Sequence, residues 1–439
     1  MGRILLFILL FIAASSLLAA PWITALAYIS NSLIQPQYIW PWIFEGIPIY
    51  RVTAGLAILG FMFGLAQKKL DLSIYKEKQS LYMVLLWLWM HLSHLLTSYR
   101  GAPASVPPEL VLSTINSIMI MYFVLLPLCR GEVAVKYLCY VFIAAGLYYT
   151  YWANSIYLNQ EWYRFINGRL TGPDRSPYSD ANVLSTLIVM CMPFIILLVY
   201  RVNNIFLKLT ILAFIPLLWH ALLLFSSRGA LLATVITMLG LAVVVKSKKF
   251  NIALGLAFTL FIIYQGSVVM NRTTETIETA AIDRDAPVNP RLVSWEAGLK
   301  LIPKYPIFGV GVQKFEAATR NHFPGMTPHV AHNTFINFSA NTGLVTGLIF
   351  LWLLYNSYRR MLMVIKDHDY SLDNIYCYAL VASSLGLLGF AVCSLFLDLI
   401  IYEPFYILLL INSVSWVELK RSSLNRSLVE PLETRTKLN

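Results

Sequence analysis

The sequence predicts an all-α polytopic membrane protein of about twelve transmembrane helices. Three observations carry the prediction. Of 439 residues, 58% are hydrophobic and 13% charged, and the mean hydropathy is +0.67, a composition that no soluble globular class shares. The apolar residues fall in separate runs, most of them near the length that crosses a bilayer. Lysine and arginine are unequally divided between the two sides that those runs define.

In chain order the runs are 4–32, 50–66, 80–97, 111–128, 134–154, 181–200, 204–225, 229–245, 250–270, 333–356, 375–397 and 400–417. The first, opening "MGRILLFILLFIAASSLLAA", imitates a signal peptide, but the many apolar runs after it favour a retained membrane helix. It is overlong, and Pro21 offers a break. The last two runs are joined so tightly that their turn must lie close to Asp398–Glu403. This organisation gives one transmembrane domain over 1–417 and a polar cytoplasmic tail over 418–439. The five cysteines lie in or beside apolar runs without a C-x-x-C pair, as small core residues would.

Charge sets the expected orientation. With the N-terminus in the cytoplasm, the inner segments are 67–78, Arg130 with Lys136, Arg201 with Lys208, 246–249, 359–369 and the tail from Lys420. The inner side then holds 20 Lys+Arg against 9 Asp+Glu, so the whole formal charge of +11 lies inside, while the outer side holds 13 of each. The basic balance is therefore a topology signal that suits an anionic inner leaflet, and no nucleic-acid partner is needed to explain it. Ten of the 13 outer cations are arginine, against 8 of 20 on the inner side. Arginine grips phosphate and carboxylate through paired donors, so the outer face is stocked for anions; structural ion pairing is the plainer alternative.

Two outer loops exceed ordinary connection length. One, about 155–180, contains "NGRLTGPDRSPYSDAN"; the other, about 271–332, contains "NPRLVSWEAGLKLIPKYPIFGVG". Pro290 starts a helix in the second, with Leu292, Trp295, Leu299 and Ile302 at helical spacing. This reads as an amphipathic helix on the outer membrane surface, ended by Pro306, Gly309 and Gly311. No strand–helix unit surrounds "GVG", so it is not a dinucleotide fingerprint.

Three positions could carry chemistry. Arg228, in "FSSRGA", sits where one apolar run ends and the next begins. An ionisable residue there is a functional candidate, with a snorkelling interfacial arginine as the equal alternative. Arg291, in the first turn of the loop helix, would share an anion with that helix's free N–H groups; a solvated loop arginine is the plainer reading. The third position is "TPHVAHNTFINFSANTG", Thr327–Gly343. His322, His329 and His332 lack zinc-site spacing, and a general base or hydrogen-bonding histidine suits the place better. Asn333, Asn337 and Asn341 form one polar stripe, either as interhelical hydrogen bonding or as a cavity wall. Asp174, Asp180, Asp398 and Glu403 are scattered and make no DxD pair for Mg²⁺, so phosphate charge would fall to arginine.

Taken in order, an outer "SRGA", a long outer loop with R-x3-W and P-x-x-G-V-G, and "HN-x-F" entering a helix resemble the O-antigen ligase and O-antigen polymerase superfamily. "GRLTGPDRSPYSDAN" is similar to a segment that precedes a helix in many members, although residues 180–182 lack the proline common at their middle. The likeness covers about 165–350 and elsewhere rests on topology. "NSLIQPQYIWPWIFEGIPIYRVTAGLAILGF" is reminiscent of the exosortase-associated O-glycosylation ligases within that superfamily. The resemblance implies a GT-C-like glycosyltransferase of the bacterial inner membrane, working without metal or other cofactor. It would move a glycan from undecaprenyl diphosphate to a hydroxyl on the periplasmic side, the acceptor being lipid A-core, a growing polysaccharide or a protein. Carried onto this sequence, Arg228 and Arg291 hold the diphosphate, Arg169 and Arg175 compete for a phosphate role, and His332 activates or orients the acceptor hydroxyl. Asn333, Asn337 and His329 are the supporting residues. Twelve spans with both termini inside also suit a transporter of a small solute or anion; against it stand the absence of repeated halves and the scarcity of mid-membrane charge.

Overall fold

The computed structural model describes residues 2–260, 263, 290–326, 330–367 and 370–436. The first helices are Gly2–Ser15 (α1), Trp22–Ile34 (α2), the short Pro36–Ile39 (α3) and Pro41–Phe44 (α4), then Ile49–Ala66 (α5), Lys78–Leu96 (α6), Pro108–Leu128 (α7) and Glu132–Leu158 (α8). Ala181–Arg201 (α9), Ile205–Phe225 (α10), Arg228–Val244 (α11) and a helical segment over 248–260 (α12) follow. The last group is Pro290–Leu301 (α13), Phe315–His322 (α14), Thr334–Thr342 (α15), Leu344–Ile365 (α16), Ile375–Ser394 (α17) and Glu403–Thr436 (α18). The sheet among the described residues is one hairpin, Phe165–Ile166 (β1) against Arg169–Leu170 (β2), with Phe165 opposite Leu170. The chain is thus an all-α polytopic membrane protein.

Seven described helices (α5, α7, α8, α9, α10, α16 and α17) are long and apolar enough to cross a membrane, and α1, α2 and α11 are shorter apolar helices. The expected 4–32 run divides into α1 and α2 around Pro21, which closes off the backbone donors a continuous helix would need. The expected 333–356 run also divides. Gly343, at φ +93°, separates α15 from α16, and a Cβ there would stand 1.9 Å from the Ile307 carbonyl oxygen. Only glycine fits such a junction. The asparagine stripe therefore lies on its own short helix, not at the mouth of the span. At the other end, α18 continues to Thr436, so the polar tail expected over 418–439 is helical over most of its length.

Helices start where a side chain can take up free backbone N–H groups. Asp180, Asn204, Ser227, Asn333 and Asn374 do so for α9, α10, α11, α15 and α17. α17 lies at the centre of the bundle, packed against α9, α11 and α18. Gly386 and Gly389 let it approach α9 closely: added Cβ atoms would meet the Met190 carbonyl and Val189 below 3 Å.

The segments expected on one side do meet there. Arg130 pairs with Asp71 at 2.8 Å and Glu418 at 2.6 Å, and Arg421 with Asp71 at 3.3 Å. Arg360 reaches Glu77 at 2.9 Å, and Arg201 donates to the Leu372 and Asp373 carbonyls. This is the basic face. The opposite, loop face carries the β-hairpin and a small subdomain, in which α13, α14 and α15 close over Ala297, Leu301, Phe315, Ala318 and Ile336.

Candidate functional site

The loop face is organised around the turn 395–402 between α17 and α18, and three helices touch it. The first is α11. Its second residue, Gly229, packs under Phe396, with room for a Cβ only 3.1 Å from the ring. That places exposed Arg228, the first residue of α11, at the rim of the turn. The second is α13. Trp295 stacks obliquely on Phe396, with ring centroids 6.2 Å apart, and half-buried Arg291 lies one helical turn before it on the same face. The third is α15. Asn333 caps it, accepting from the Ile336 N–H at 3.0 Å, and donates to the Leu395 carbonyl at 3.2 Å. Thr334 donates to the Leu397 carbonyl at 2.8 Å and accepts from the Leu399 N–H at 3.1 Å. His332, one residue before the cap, is half-buried and held at φ +48°. The left-handed region costs a non-glycine residue free energy, and such strain concentrates at working sites.

Arg169 reaches the same neighbourhood from the β-hairpin. Asn167 and Gly168 both have positive φ, the pattern of a type I′ turn, and they deliver Arg169 to the end of α10. There its Nε donates to the Phe225 carbonyl at 3.2 Å and its Nη2 to Asn182 at 2.7 Å. Phe225 is three residues before Arg228. Arg175 is exposed at φ +59° and makes no hydrogen bond or ion pair with the turn among the described residues. His329 lies outside the described residues.

The other expected features divide between structure and site. Asn337 is buried, accepts from Asn341, and bonds through its side chain to Asp398 on the turn. Asn341 instead serves the scaffold, accepting from the Phe315 N–H at 3.0 Å. The "GVG" loop is scaffold as well: the N–H groups of Val310 and Gly311 donate to the Ala340 and Asn341 carbonyls, closing the end of α15. Of the amphipathic face expected on α13, Trp295 and Ile302 pack on the subdomain core, but Leu292 and Leu299 are exposed. The buried edge is instead Ser294, Ala297, Gly298 and Leu301, because Gly298 lets α13 settle onto Ile336. His322 is bound to Tyr305 and Lys304, away from the turn.

Two acids lie on or beside the turn. Burial raises the Asp398 carboxyl above its ordinary range, and the Asn337 hydrogen bond only partly offsets this. Glu403, at the start of α18, accepts from Tyr28 and, at 3.0 Å, from Tyr50, tying α2 and α5 to the end of the turn. The tight link between the last two apolar runs was the available signal: a turn that short holds few residues, and acids stand at or beside it.

The arrangement can hold an anion. The first residues of α11 and α15, with their positive dipole ends, and the middle of α13 touch one turn, and these elements carry two arginines and a histidine. Residues 212–351 match a family model described as O-Antigen ligase. The matched segment contains Arg228, Arg291 and His332 and leaves out Arg169, Arg175 and the turn 395–402. It also leaves out the N-terminal stretch reminiscent of the exosortase-associated branch. No curated protein matches the chain. The match spans 140 of the 439 residues, 212–351, and is a likeness to the O-antigen ligase family, with which the helical membrane architecture agrees.

Proposed function

We propose that the protein transfers a glycan from undecaprenyl diphosphate to the hydroxyl of a glycolipid, a growing polysaccharide or a protein. The reaction takes place on the periplasmic face of the bacterial inner membrane, with arginine supplying the charge that a metal would otherwise supply. What supports this reading is that the elements carrying Arg228, Arg291 and His332 touch one turn, through Gly229, Trp295 and Asn333.

In this mechanism the acceptor oxygen attacks the anomeric carbon and the bond from that carbon to the phosphate oxygen breaks. The acceptor proton passes to His332, which acts as general base. Negative charge grows on the departing diphosphate, where Arg228 and Arg291 stabilise it more strongly in the transition state than in the ground state. Arg169 stands behind Arg228 as a further phosphate ligand, and Arg175 serves the approach of the lipid-linked donor. Asn333 and Asn337 hold the His332 backbone to the turn.

The test is transfer from a purified lipid-linked donor to a hydroxyl acceptor. His332→Ala is expected to lose about 10²–10⁴-fold in kcat. Arg228→Lys and Arg291→Lys are expected to be impaired although charge is kept, because lysine cannot make the paired contact. Full transfer by folded His332→Ala protein would overturn the assignment.

A further inference from the structure

The far side of the loop-face subdomain carries a cluster that the transfer site does not use. Tyr99, from the connection after α6, and Tyr305, just beyond α13, meet edge to face with centroids 5.7 Å apart at 80°. Both are half-buried and pack on the subdomain core. Their hydroxyls are fixed. Tyr305 bonds His322 Nε2 at 2.9 Å and donates to Tyr99 at 3.5 Å, and Asn321 donates to Tyr99 at 2.9 Å. Lys304 lies 3.4 Å from the other His322 nitrogen and stands over the Phe323 ring at 5.0 Å.

The charges here are unequally compensated. Lys300, over the same ring at 5.8 Å, is paired with Glu296 at 2.5 Å. Lys304 and Arg100 are exposed, and among the described residues neither has a carboxylate within ion-pair distance. Part-exposed tyrosines with anchored hydroxyls present an apolar ring face beside a polar rim, which is the chemistry of a sugar turned on edge. Packing has already fixed the rings, so little ordering cost remains for a ligand. Lysine adds a point charge for a carboxylate or phosphate.

We propose that this cluster is a docking subsite for an anionic glycan chain, one bearing carboxylate or phosphate groups. The ligand class rests on the transferase reading. From Arg291 to the end of α13 the helix rises about 15 Å. A chain anchored at its lipid-linked or accepting end near Arg291 would therefore reach Tyr305 and Lys304 several sugars along. The subsite would favour long acidic chains over short or neutral ones.

Binding and transfer test it separately, with the full chain in lipid nanodiscs. Hexagalacturonate is expected to bind about tenfold more tightly than maltohexaose, and Lys304→Met to remove most of that difference. Tyr305→Ala is expected to weaken both ligands, while Tyr305→Phe, which keeps the ring, weakens them less. Equal binding of the two hexasaccharides, binding of neither, or an unchanged preference in Lys304→Glu would overturn the proposal. So would full displacement by inorganic phosphate alone, which would mark the site as one for any small anion. In transfer assays, a Lys304→Met defect confined to long acidic donors places the donor chain here, and one confined to long acidic acceptors places the acceptor. A protein that binds acidic chains but transfers nothing sinks the transferase reading and leaves the subsite. One that transfers without any preference for length or charge sinks the subsite and leaves the transferase.

Discussion

Asp398 shows what a single side chain can hide from a linear reading. Arg228 and His332 stand at the edges of apolar runs and Arg291 in the first turn of the expected loop helix, in a recognisable order. Asp398 sits among scattered acids, and only folding brings it to Asn337. Its raised pKa fixes a sign. The native state takes up a proton more readily than the unfolded chain, whose aspartates titrate near about 3.9. The ionised group therefore works against folding at neutral pH, and that penalty fades as pH falls through the native pKa. Asp398→Asn, which removes the ionisation, is expected to melt above the parent protein at pH 7.5. The gap should close toward acid pH, and a gap independent of pH would refute the assignment. Gly343 makes a second prediction. Alanine there meets the Ile307 carbonyl in a left-handed backbone, so Gly343→Ala should lower stability by more than about 1 kcal/mol in a thermal melt.

Among elements, period and composition located most helices but misjudged one junction and one helix face. The run 333–356 was read as one helix, although Asn341, Thr342 and Gly343 interrupt its apolar residues where α15 meets α16. The break comes from a tertiary contact, the approach of 306–308 to Gly343, where the Leu344 N–H donates to the Pro306 carbonyl at 2.9 Å. The face of α13 was misjudged for a similar reason. A stripe of large apolar residues normally marks the buried side, but Gly298 lets the small-residue side seat closest to α15. The hairpin that delivers Arg169 was legible in "NG", a short sequence that favours the type I′ turn. Asn333 joins two elements at once, as cap of α15 and as tether to the turn. Asn333→Ala should cost about 1 kcal/mol for the cap alone. It should also depress kcat more than KM, because the His332 backbone loses its hold; an equal rise in KM with unchanged kcat would argue against the tether.

At the scale of the molecule, the division of charge was the most informative property of the sequence, since segments assigned to one side on charge alone meet on one face. Buried Arg360 is part of that face, bonded to Glu77, Gln79 and Asn412 from α18 and the start of α6. Arg360→Met would leave Glu77 without its partner and is expected to cost about 3–5 kcal/mol, read as a lower melting temperature. Which face meets the cytoplasm is open to direct measurement. All five cysteines are buried, so the native background to thiol labelling is low. Arg320→Cys should react with an impermeant maleimide in intact cells, and Lys248→Cys only after permeabilisation; the reverse pattern would invert the orientation. The turn 395–402 has a last consequence, for inheritance. Arg228, Arg291 and His332 lie within 212–351, but the turn that α11, α13 and α15 pack against is encoded about 45 residues further along. A chimaera that exchanges 212–351 alone between two relatives would import charges onto a foreign turn. It should insert into the membrane yet stay inactive until 395–403 is exchanged from the same parent, so that recombination within this gene would be tolerated only when both segments travel together.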